Sequence, residues 1–513
     1  MLMSSNDYRE SLRAYSPVVY LNGQRVESVA DEPAFAPGVA AIGVSYDYAL
    51  SEDLHDLMLA SDTRTGRTVN RMLHINRSRD DLLRKLEAVR VLCQQTGCAQ
   101  RYLIGDALNA LYQASARIDA DKGTDYHARV LNYLARVQNE DLAVAIAMTD
   151  AKGDRSLRPY QQTNPDVYLY IVERRADGIV ISGTKAIVTS APYVHEFLIM
   201  PCRNMTGFDA DFAVACAVPV DAPGLTIVAK PAGRPGEAAA KFSAHYGQSV
   251  AALIFDRVFV PHERVFLCGE WQHSGYLTTT YATHHRHSCI AARAGFGDLL
   301  IGAGVLMCEA NGLDADETPH LRDALVDLIK ITEGFFACGV AASVYGLGDA
   351  AGNFQPEPVY ANIGKLLLAT QIYDMHRLAH QVSGGIVVAL PGPDEDHNPA
   401  TAGDLSAVLA GRADIPAAHR MEVARLMEDL TASNTAGWYS LISLHGGGSP
   451  EAMKMEIYRQ YPLEDKAALV EKLLDRGVLA DGRRVNPQPG RCCTTGCQEP
   501  AVINPAANAA HAD

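Results

Sequence analysis

The chain has no run of lysine and arginine and no aromatic RNA-binding motif, and its 60 acidic residues outnumber its 45 basic ones. The formal net charge of −15 at pH 7 repels phosphate backbones, which argues against a nucleic acid partner. The chain also has no stretch of about 18 consecutive apolar residues and no apolar signal core near its start. The sequence therefore predicts a cytoplasmic protein without a membrane segment.

A compact cysteine framework is absent as well. Eleven cysteines are scattered over 513 residues, and an odd, dispersed set does not suit structural disulfides. In a reducing compartment most of these thiols are expected to be small buried hydrophobic side chains. Hydrophobic residues at 48% and charged residues at 20% otherwise describe an ordinary globular protein that is long enough for a large core.

Hydrophobic periodicity changes twice along the chain. It is mainly helical up to about residue 145, gives way to short β-rich runs separated by Gly, Pro and Asp, and becomes helical again after residue 284. The pattern predicts an α+β multidomain protein with four parts: an N-terminal helical domain (1–145), a central β-barrel or sandwich (146–275), a C-terminal four-helix bundle (276–480) and a partly disordered tail (481–513). This order suggests the acyl-CoA dehydrogenase-like fold.

Several sequence runs occur in an order that is typical of one group of flavoproteins. Two of them are GIVISGTKAIVTS at 178–190 and HGGGSP at 445–450. Others lie at 147–155, 195–201, 265–268, 297–302, 351–353 and 384–385. Together they resemble the superfamily of the 4-hydroxyphenylacetate 3-monooxygenase large subunits and 4-hydroxybutyryl-CoA dehydratase, and the dehydratase branch most. The resemblance implies an acyl-CoA dehydrogenase-like fold with FAD between the β-domain and the last bundle. Ala- and Gly-rich helices further suit the close packing of a homotetramer.

Within this resemblance, two strands and two loops are expected to contact FAD. Thr149 and Thr189 end or leave strands, where a hydroxyl and adjoining N–H groups can meet the flavin ring edge or a pyrophosphate oxygen. Lys152 and Arg155 would balance phosphate charge, although 153–155 also suits a turn closed by an ion pair. The glycines at 446–448 would permit a close approach of the backbone to a ligand, although such a cluster also suits the C-cap of a helix. The expected loop contacts are His445, Gly446, Gly448 and Ser449, with Gly384 and Gly385 touching the FAD of a neighbouring subunit.

The cluster ligands of the dehydratase branch are only half present. The resemblance implies an iron–sulfur cluster held by two cysteines one helical turn apart and by a histidine and a cysteine two turns apart. Cys98, which opens a predicted helix, and His285, near the start of another, match one ligand of each pair. Tyr102 and Ala292 stand at the other two positions, and neither side chain replaces a cluster thiolate. The sequence therefore predicts that no cluster is bound.

A displaced metal site is the alternative reading of these residues. Cys289 follows His285 by four residues and Cys93 precedes Cys98 by five. The candidate ligand sets are Cys93, Cys98, His285 and Cys289, or His284, His285, His287 and Cys289 around a single metal. The other reading is that these are buried thiols and a histidine that bonds to substrate or flavin.

The acid–base residues of the dehydratase branch are altered as well. The resemblance places glutamates near Val250 and Ile442 and a tyrosine at Cys289. Without a positioned carboxylate, abstraction of a weakly acidic carbon proton loses its base. The phenol-hydroxylase branch is not matched cleanly either, because 103–107 lacks the arginine and tyrosine expected to bind a phenolic acid.

The sequence therefore favours an FAD-dependent, two-component monooxygenase that receives reduced FAD from a separate reductase and oxidises a small organic substrate. His285, Arg286 and Tyr102 are expected to line its pocket. His285 is the expected acid–base group, because an unperturbed imidazole titrates near pH 6.5. Two alternatives stay open: a lyase or isomerase that acts on an acyl thioester with an altered or absent cluster, and a flavin-binding protein that has lost catalysis.

Overall fold

A computed structural model describes residues 2–98 and 100–476. Of the described residues, those up to Arg459 form one compact unit, and those from Gln460 onward belong to a second. The α-helices are α1 (Ser5–Leu12), α2 (Ala36–Leu50), α3 (His55–Met58), α4 (Arg79–Thr96), α5 (Tyr102–Lys122), α6 (Tyr126–Asn139), α7 (Ser274–Ala310), α8 (Pro319–Val344), α9 (Pro358–Ser383), α10 (Ala402–Val408), α11 (Ala417–Thr431), α12 (Asn434–His445), α13 (Pro450–Gln460) and α14 (Leu463–Arg476). The tail predicted at 481–513 lies outside the described residues.

The strands are β1 (Val18–Leu21), β2 (Gln24–Arg25), β3 (Leu59–Ser61), β4 (Thr68–Asn70), β5 (Val144–Ala147), β6 (Tyr170–Arg174), β7 (Gly178–Thr189), β8 (Glu196–Ile199), β9 (Val214–Pro219), β10 (Leu225–Ala229), β11 (Val250–Pro261), β12 (Val265–Cys268), β13 (Leu347–Gly348) and β14 (Phe354–Gln355). Six of them form a sheet in the order β2-β1-β10-β11-β7-β6, and four form a second sheet in the order β12-β9-β8-β5. The pairs β3–β4 and β13–β14 are separate.

The two larger sheets form a sandwich backed by helices. Phe197 and Ile199 of β8 join the core that contains Ile227 of the six-stranded sheet. Leu198, between them, points to the opposite face and joins the core that contains Leu134 of α6. The four-stranded sheet is therefore the middle layer. No closed barrel forms among residues 2–98 and 100–476, so the sandwich is the correct one of the two predicted forms.

The N-terminal region is less purely helical than its periodicity predicts. Its β1 pairs in parallel with β10, with Val18 opposite Thr226, and β2 extends the same edge. A four-residue strand whose partner lies some two hundred residues away gives almost no local signal, because its pairing is set by tertiary packing.

The long helix α7 passes through the centre of the bundle. Its 37 residues span about 55 Å at 1.5 Å per residue, and it packs on α4, α5, α8, α9 and α11. Within Trp271–Ala310, one window of 18 residues is apolar enough to cross a membrane, with mean hydropathy 1.5, but 61% of that window is buried inside the protein. A long apolar window that is mostly buried is typical of a helix in the core of a large bundle.

The local structure around Cys98 and His285 corrects two sequence predictions. Gly97 has a left-handed backbone with φ of 65° and ends α4, as glycine commonly does at a helix C-terminus. Cys98 therefore lies in the link between α4 and α5 and does not open a helix. Conversely, His285 lies well inside α7 and not near its start.

Candidate active site

A cavity of about 50 Å³ lies between the end of β7 and the helices α5, α7, α9 and α12. Six residues selected from the sequence line it: Cys98, Tyr102, Thr189, His285, Cys289 and Gly446. A second cavity of about 10 Å³ adjoins the first and shares Gln100, Leu103 and Thr189 with it. The chain thus brings together residues that are nearly 350 positions apart at the junction of the sandwich and the bundle.

The positions compared with the dehydratase branch also meet at this junction. Tyr102 and Ala292 line the cavity beside Cys98 and His285. Ile442 lines it too, and Val250 is the direct strand partner of Thr189. The four positions at which the resemblance places cluster or acid–base groups therefore lie at or next to the cavity, and none of them carries a thiol or a carboxylate.

The described residues do not form the displaced metal site. Over residues 2–98 and 100–476, no three His, Cys, Asp or Glu side chains are arranged to hold a metal ion. His284 and His287 point away from His285: their Nε2 atoms lie 3.2 Å from Gln113 Oε1 and 2.7 Å from Ser343 Oγ. Because successive helical residues face different sides, adjacency in sequence does not make these histidines a common ligand set.

His285 belongs to a buried polar network. Its Nδ1 lies 3.3 Å from Asp106 Oδ2, and the other Asp106 oxygen accepts hydrogen bonds from Lys85 Nζ and from Ser288 Oγ at 2.7 Å. Burial by itself raises the pKa of the Asp106 carboxyl, but the Lys85 ammonium and His285 outweigh it and hold that pKa below its usual value. Asp106 and Lys85 were not selected from the sequence, since they lie on different helices and no motif connects them.

The imidazole of His285 is paired with the thiol of Cys289, one helical turn later. The sulfur lies 3.5 Å from Nε2. Burial alone would lower the pKa of His285, but Cys289 and Asp106 together raise it to about 10. Burial also opposes ionisation of Cys289, yet His285 lowers the pKa of that thiol. Each group therefore favours the charged form of the other, and the pKa of His285 lies above the ordinary value near 6.5 that the sequence analysis used.

Two further cations line the cavity, and sequence reasoning missed both. Arg293 is buried, and its guanidinium donates to the Gly97 carbonyl at 3.1 Å and lies 3.8 Å from Cys98 Sγ. Lys365 is fully buried in α9 and donates to the Ser443 carbonyl. The only sequence signal for Lys365 is one lysine in an otherwise apolar run of α9. Together with His285 they give the cavity a cationic lining that favours an anionic ligand.

We expect the stability of the fold to depend on Lys365 at alkaline pH. Burial lowers the pKa of Lys365 to about 8, so between there and its usual value near 10.4 the unfolded chain binds more protons. Stability should therefore rise from pH 7 to 10 relative to Lys365→Met, on the order of 2 kcal/mol. Denaturant titrations at several pH values measure this difference. Lys330→Met, at an exposed position of α8, serves as the control. If the free energy of unfolding changes with pH by the same slope in both variants, the expectation is contradicted.

Arg286 supports the site from outside the cavity and does not line it. Its Nε donates to the Gly447 carbonyl at 2.9 Å, and an Nη atom donates to Asn362 Oδ1 at 2.6 Å. Gly447 has φ of 76°, and a Cβ atom there would lie 3.3 Å from the His285 ring. Glycine is therefore required for the close approach of this loop to α7.

The other residues predicted to contact FAD, Thr149 and Lys152 among them, do not line the cavity. The Thr149 carbonyl accepts from Ala186 of β7, and the Lys152 N–H donates to Val167. Ile187, Ser190 and Lys152 all have positive φ, which is uncommon outside glycine and often marks functional sites. The remaining predicted contacts are exposed and do not line the cavity: Arg155, Gly384, Gly385, His445, Gly448 and Ser449.

Two family models match the chain. The N-terminal model of 4-hydroxyphenylacetate 3-hydroxylase covers residues 4–267, and the C-terminal model covers residues 274–475. The chain therefore belongs to the 4-hydroxyphenylacetate 3-hydroxylase family, and the predicted resemblance is confirmed.

Relatives of known activity are enzymes of two kinds. The 4-hydroxybutyryl-CoA dehydratase/vinylacetyl-CoA-Δ-isomerase of Clostridium aminobutyricum is 36% identical over 491 residues, which are 92% of this chain and 99% of that protein. The oxygenase component of 4-hydroxyphenylacetate 3-monooxygenase from Thermus thermophilus is 26% identical over 469 residues, 90% of this chain and 95% of that one.

Solved structures support the same fold. The oxygen-tolerant archaeal 4-hydroxybutyryl-CoA dehydratase from N. maritimus has a TM-score of 0.89 and 35% identity, covering 95% of this chain and 97% of that one. The oxygenase component of 4-hydroxyphenylacetate 3-monooxygenase complexed with FAD has a TM-score of 0.83 and 24% identity, covering 93% of this chain and 99% of that one. The predicted fold class, α+β and acyl-CoA dehydrogenase-like, is confirmed.

Proposed function

We propose that the chain is an FAD-dependent monooxygenase that oxidises a small anionic organic substrate in the cavity beside Thr189. A separate reductase would supply reduced FAD, and the working form would be a homotetramer. One observation carries this choice: Tyr102, Ala292, Val250 and Ile442 lie at the site and carry neither a cluster thiolate nor a carboxylate base. The chain keeps the junction where the family resemblance puts FAD but lacks the groups that dehydration requires.

The residues at the junction fit a flavin. Thr189 offers a hydroxyl where β7 leaves the sheet, next to the two left-handed residues Ile187 and Ser190. Ile187 is 64% exposed, which leaves an apolar side chain available beside this edge. Across the junction, the 446–448 loop is held against α7 by Arg286. Thr149, Lys152 and Arg155 would serve the phosphates, while Gly384 and Gly385 would serve a neighbouring subunit. Bound FAD would supply the redox chemistry with O2.

The chain's own groups would hold the substrate and supply a proton. His285, Lys365 and Arg293 provide positive charge on one side of the cavity. His285 is protonated at neutral pH because its pKa is raised to about 10, so it acts as a proton donor at Nε2. Tyr102 stacks on it with ring centroids 6.1 Å apart and limits the position of the imidazole.

Thr189→Phe is expected to remove most of the bound flavin. A bulky ring would fill the junction of the two cavities, where Thr189 contributes to both linings. The measurement is the flavin-to-protein absorbance ratio after purification with added FAD. Thr184→Phe, on the same strand but away from the cavity, is the control and should retain flavin. Full occupancy in Thr189→Phe would show that FAD binds elsewhere.

Purified under anaerobic conditions, the chain should show a flavin spectrum and no stoichiometric iron or acid-labile sulfide. Two of the four cluster positions carry Tyr102 and Ala292, and a cluster held by only two protein ligands is exposed and labile. Iron analysis and the absorbance near 400 nm measure this. Four irons and four sulfides per chain would contradict the monooxygenase proposal and favour dehydratase-like chemistry.

A lyase or isomerase acting on an acyl thioester is the second candidate. The 36% identity to the Clostridium aminobutyricum dehydratase favours it, as does a cationic cavity that suits an enolate. The two candidates differ in their need for oxygen. Reduced enzyme mixed with O2 and a small anionic phenol or acid should yield oxygenated product, whereas a lyase converts 4-hydroxybutyryl-CoA without net consumption of O2.

A further inference from the structure

Asp106, His285 and Cys289 form a chain of polar contacts that ends at the cavity. Nδ1 of His285 contacts the Asp106 carboxylate at 3.3 Å, and Nε2 lies 3.5 Å from Cys289 Sγ. A carboxylate that orients an imidazole, which in turn contacts a thiol, is the arrangement that activates cysteine nucleophiles on unrelated folds.

The chain of contacts is held in place before any ligand binds. Asp106 is fixed by Lys85 and by Ser288 Oγ. The His285 ring is nearly parallel to those of Tyr281 and Tyr102, with interplanar angles of 11° and 22°. A site whose reactive groups are oriented by packing loses less free energy in reaching a productive geometry.

The thiol is accessible from the cavity. Between residues 283 and 290 Cys289 is half-buried whereas its neighbours are buried, and it lines the cavity. The volume of about 50 Å³ holds roughly four water-sized groups at about 10–15 Å³ each, which suits a short acyl chain. The Lys365 ammonium has three N–H donors, and its hydrogen bond to Ser443 uses one of them.

We propose that Cys289 is a nucleophile that accepts a small acyl group from a thioester donor. The thiolate sulfur attacks the carbonyl carbon and forms a C–S bond, while the oxygen takes up the displaced electron pair next to Lys365 and Arg293. When the carbonyl re-forms, the bond from its carbon to the donor sulfur breaks. His285 gives its proton to the departing thiolate. The products are acyl-Cys289 and a free thiol, without oxidation or reduction.

This activity goes beyond the proposed monooxygenase reaction and needs neither FAD nor O2. His285 lowers the pKa of the Cys289 thiol across their 3.5 Å contact, which favours the nucleophilic thiolate. Cys98 lines the same cavity without an imidazole to take its proton: its sulfur lies 4.0 Å from the Tyr102 hydroxyl and 3.8 Å from the Arg293 guanidinium. The chain therefore contains an internal comparison between two thiols in one cavity.

The test uses N,S-diacetylcysteamine, a small acetyl thioester, with the full-length protein as purified. Intact mass and peptide mapping should find one acetyl group per chain, on Cys289, formed at least about tenfold faster than on Cys98. Neutral hydroxylamine should release it, as it releases thioesters but not an amide on Lys365. His285→Gln should slow labelling by about 10²-fold. Cys308→Ser, which changes a buried α7 thiol outside the cavity lining, should label like the parent.

Three results would overturn the proposal: acetylation spread evenly over the thiols, acetylation on Cys98 or Lys365 instead of Cys289, or an unchanged rate in His285→Gln. Cys289→Ser should lose the label, but the mapping in the unsubstituted protein decides the question even if that variant does not fold. A protein that lacks flavin and still acetylates Cys289 would contradict the proposed function alone.

Discussion

His285→Gln should lower turnover about 10²-fold or more while flavin binding and the fold persist, the usual scale for loss of an acid–base group. Glutamine keeps a hydrogen-bond donor for Asp106 but removes the positive charge and the transferable proton. The charge arises because Cys289 and Asp106 raise the pKa of the imidazole to about 10. The measurement is product yield and rate in a single turnover of reduced, substrate-loaded enzyme with O2.

His287→Gln is the matched control for this prediction. His287 is buried on the same helix, but its Nε2 pairs with Ser343 Oγ at 2.7 Å, and burial lowers its pKa to about 3, so it is neutral. It does not line the cavity. Turnover should therefore stay within a small factor of the parent. If both variants retain full activity, His285 serves the packing of α7 and not the reaction.

The long helices of the bundle were predictable because α8 and α9 each carry their own signal. The apolar periodicity at 321–345 and 359–382 matches α8 and α9 within two residues at each end. The run at 416–444 divides into α11 and α12 because Ser433 caps a new helix by accepting the Ala436 N–H. Periodicity detects buried faces, but it does not detect a short break between two helices with the same pattern.

The site was predictable where a motif or the family resemblance named its residues. Cys98, Tyr102, His285, Ala292 and Thr189 line one cavity, and their roles there stay predictions. Their chemical state was not predictable, because the charge of His285 depends on Cys289 of the same helix and also on a carboxylate from another part of the chain. Asp106 comes from α5, and its partner Lys85 comes from α4. No spacing in the sequence indicates that these helices place a carboxylate and an ammonium together under α7.

Asp106→Asn should reduce the free energy of unfolding by about 3–5 kcal/mol, the usual cost of breaking a buried ion pair. Lys85 and Asp106 are 3% and 0% exposed, so the variant leaves a buried ammonium without its counter-charge. The hydrogen bonds to His285 and Ser288 weaken as well. Replacing both partners, as Lys85→Met with Asp106→Leu, should recover part of this loss, because two apolar groups cost less than one unpaired buried charge.

Denaturant titrations of the single and double variants measure this expectation, with Asp327→Asn as the matched control. Asp327 pairs with Lys330 on the exposed surface of α8, where such a pair contributes about 0–1 kcal/mol. If Asp106→Asn lowers the free energy of unfolding no more than Asp327→Asn does, water reaches the Lys85–Asp106 pair and the expectation is wrong. The same network orients His285, so Asp106→Asn should also slow acetylation of Cys289, even in protein that remains folded at low temperature. Stability and reactivity would then share one cause, since the buried ammonium that fixes Asp106 also fixes the imidazole beside the thiol.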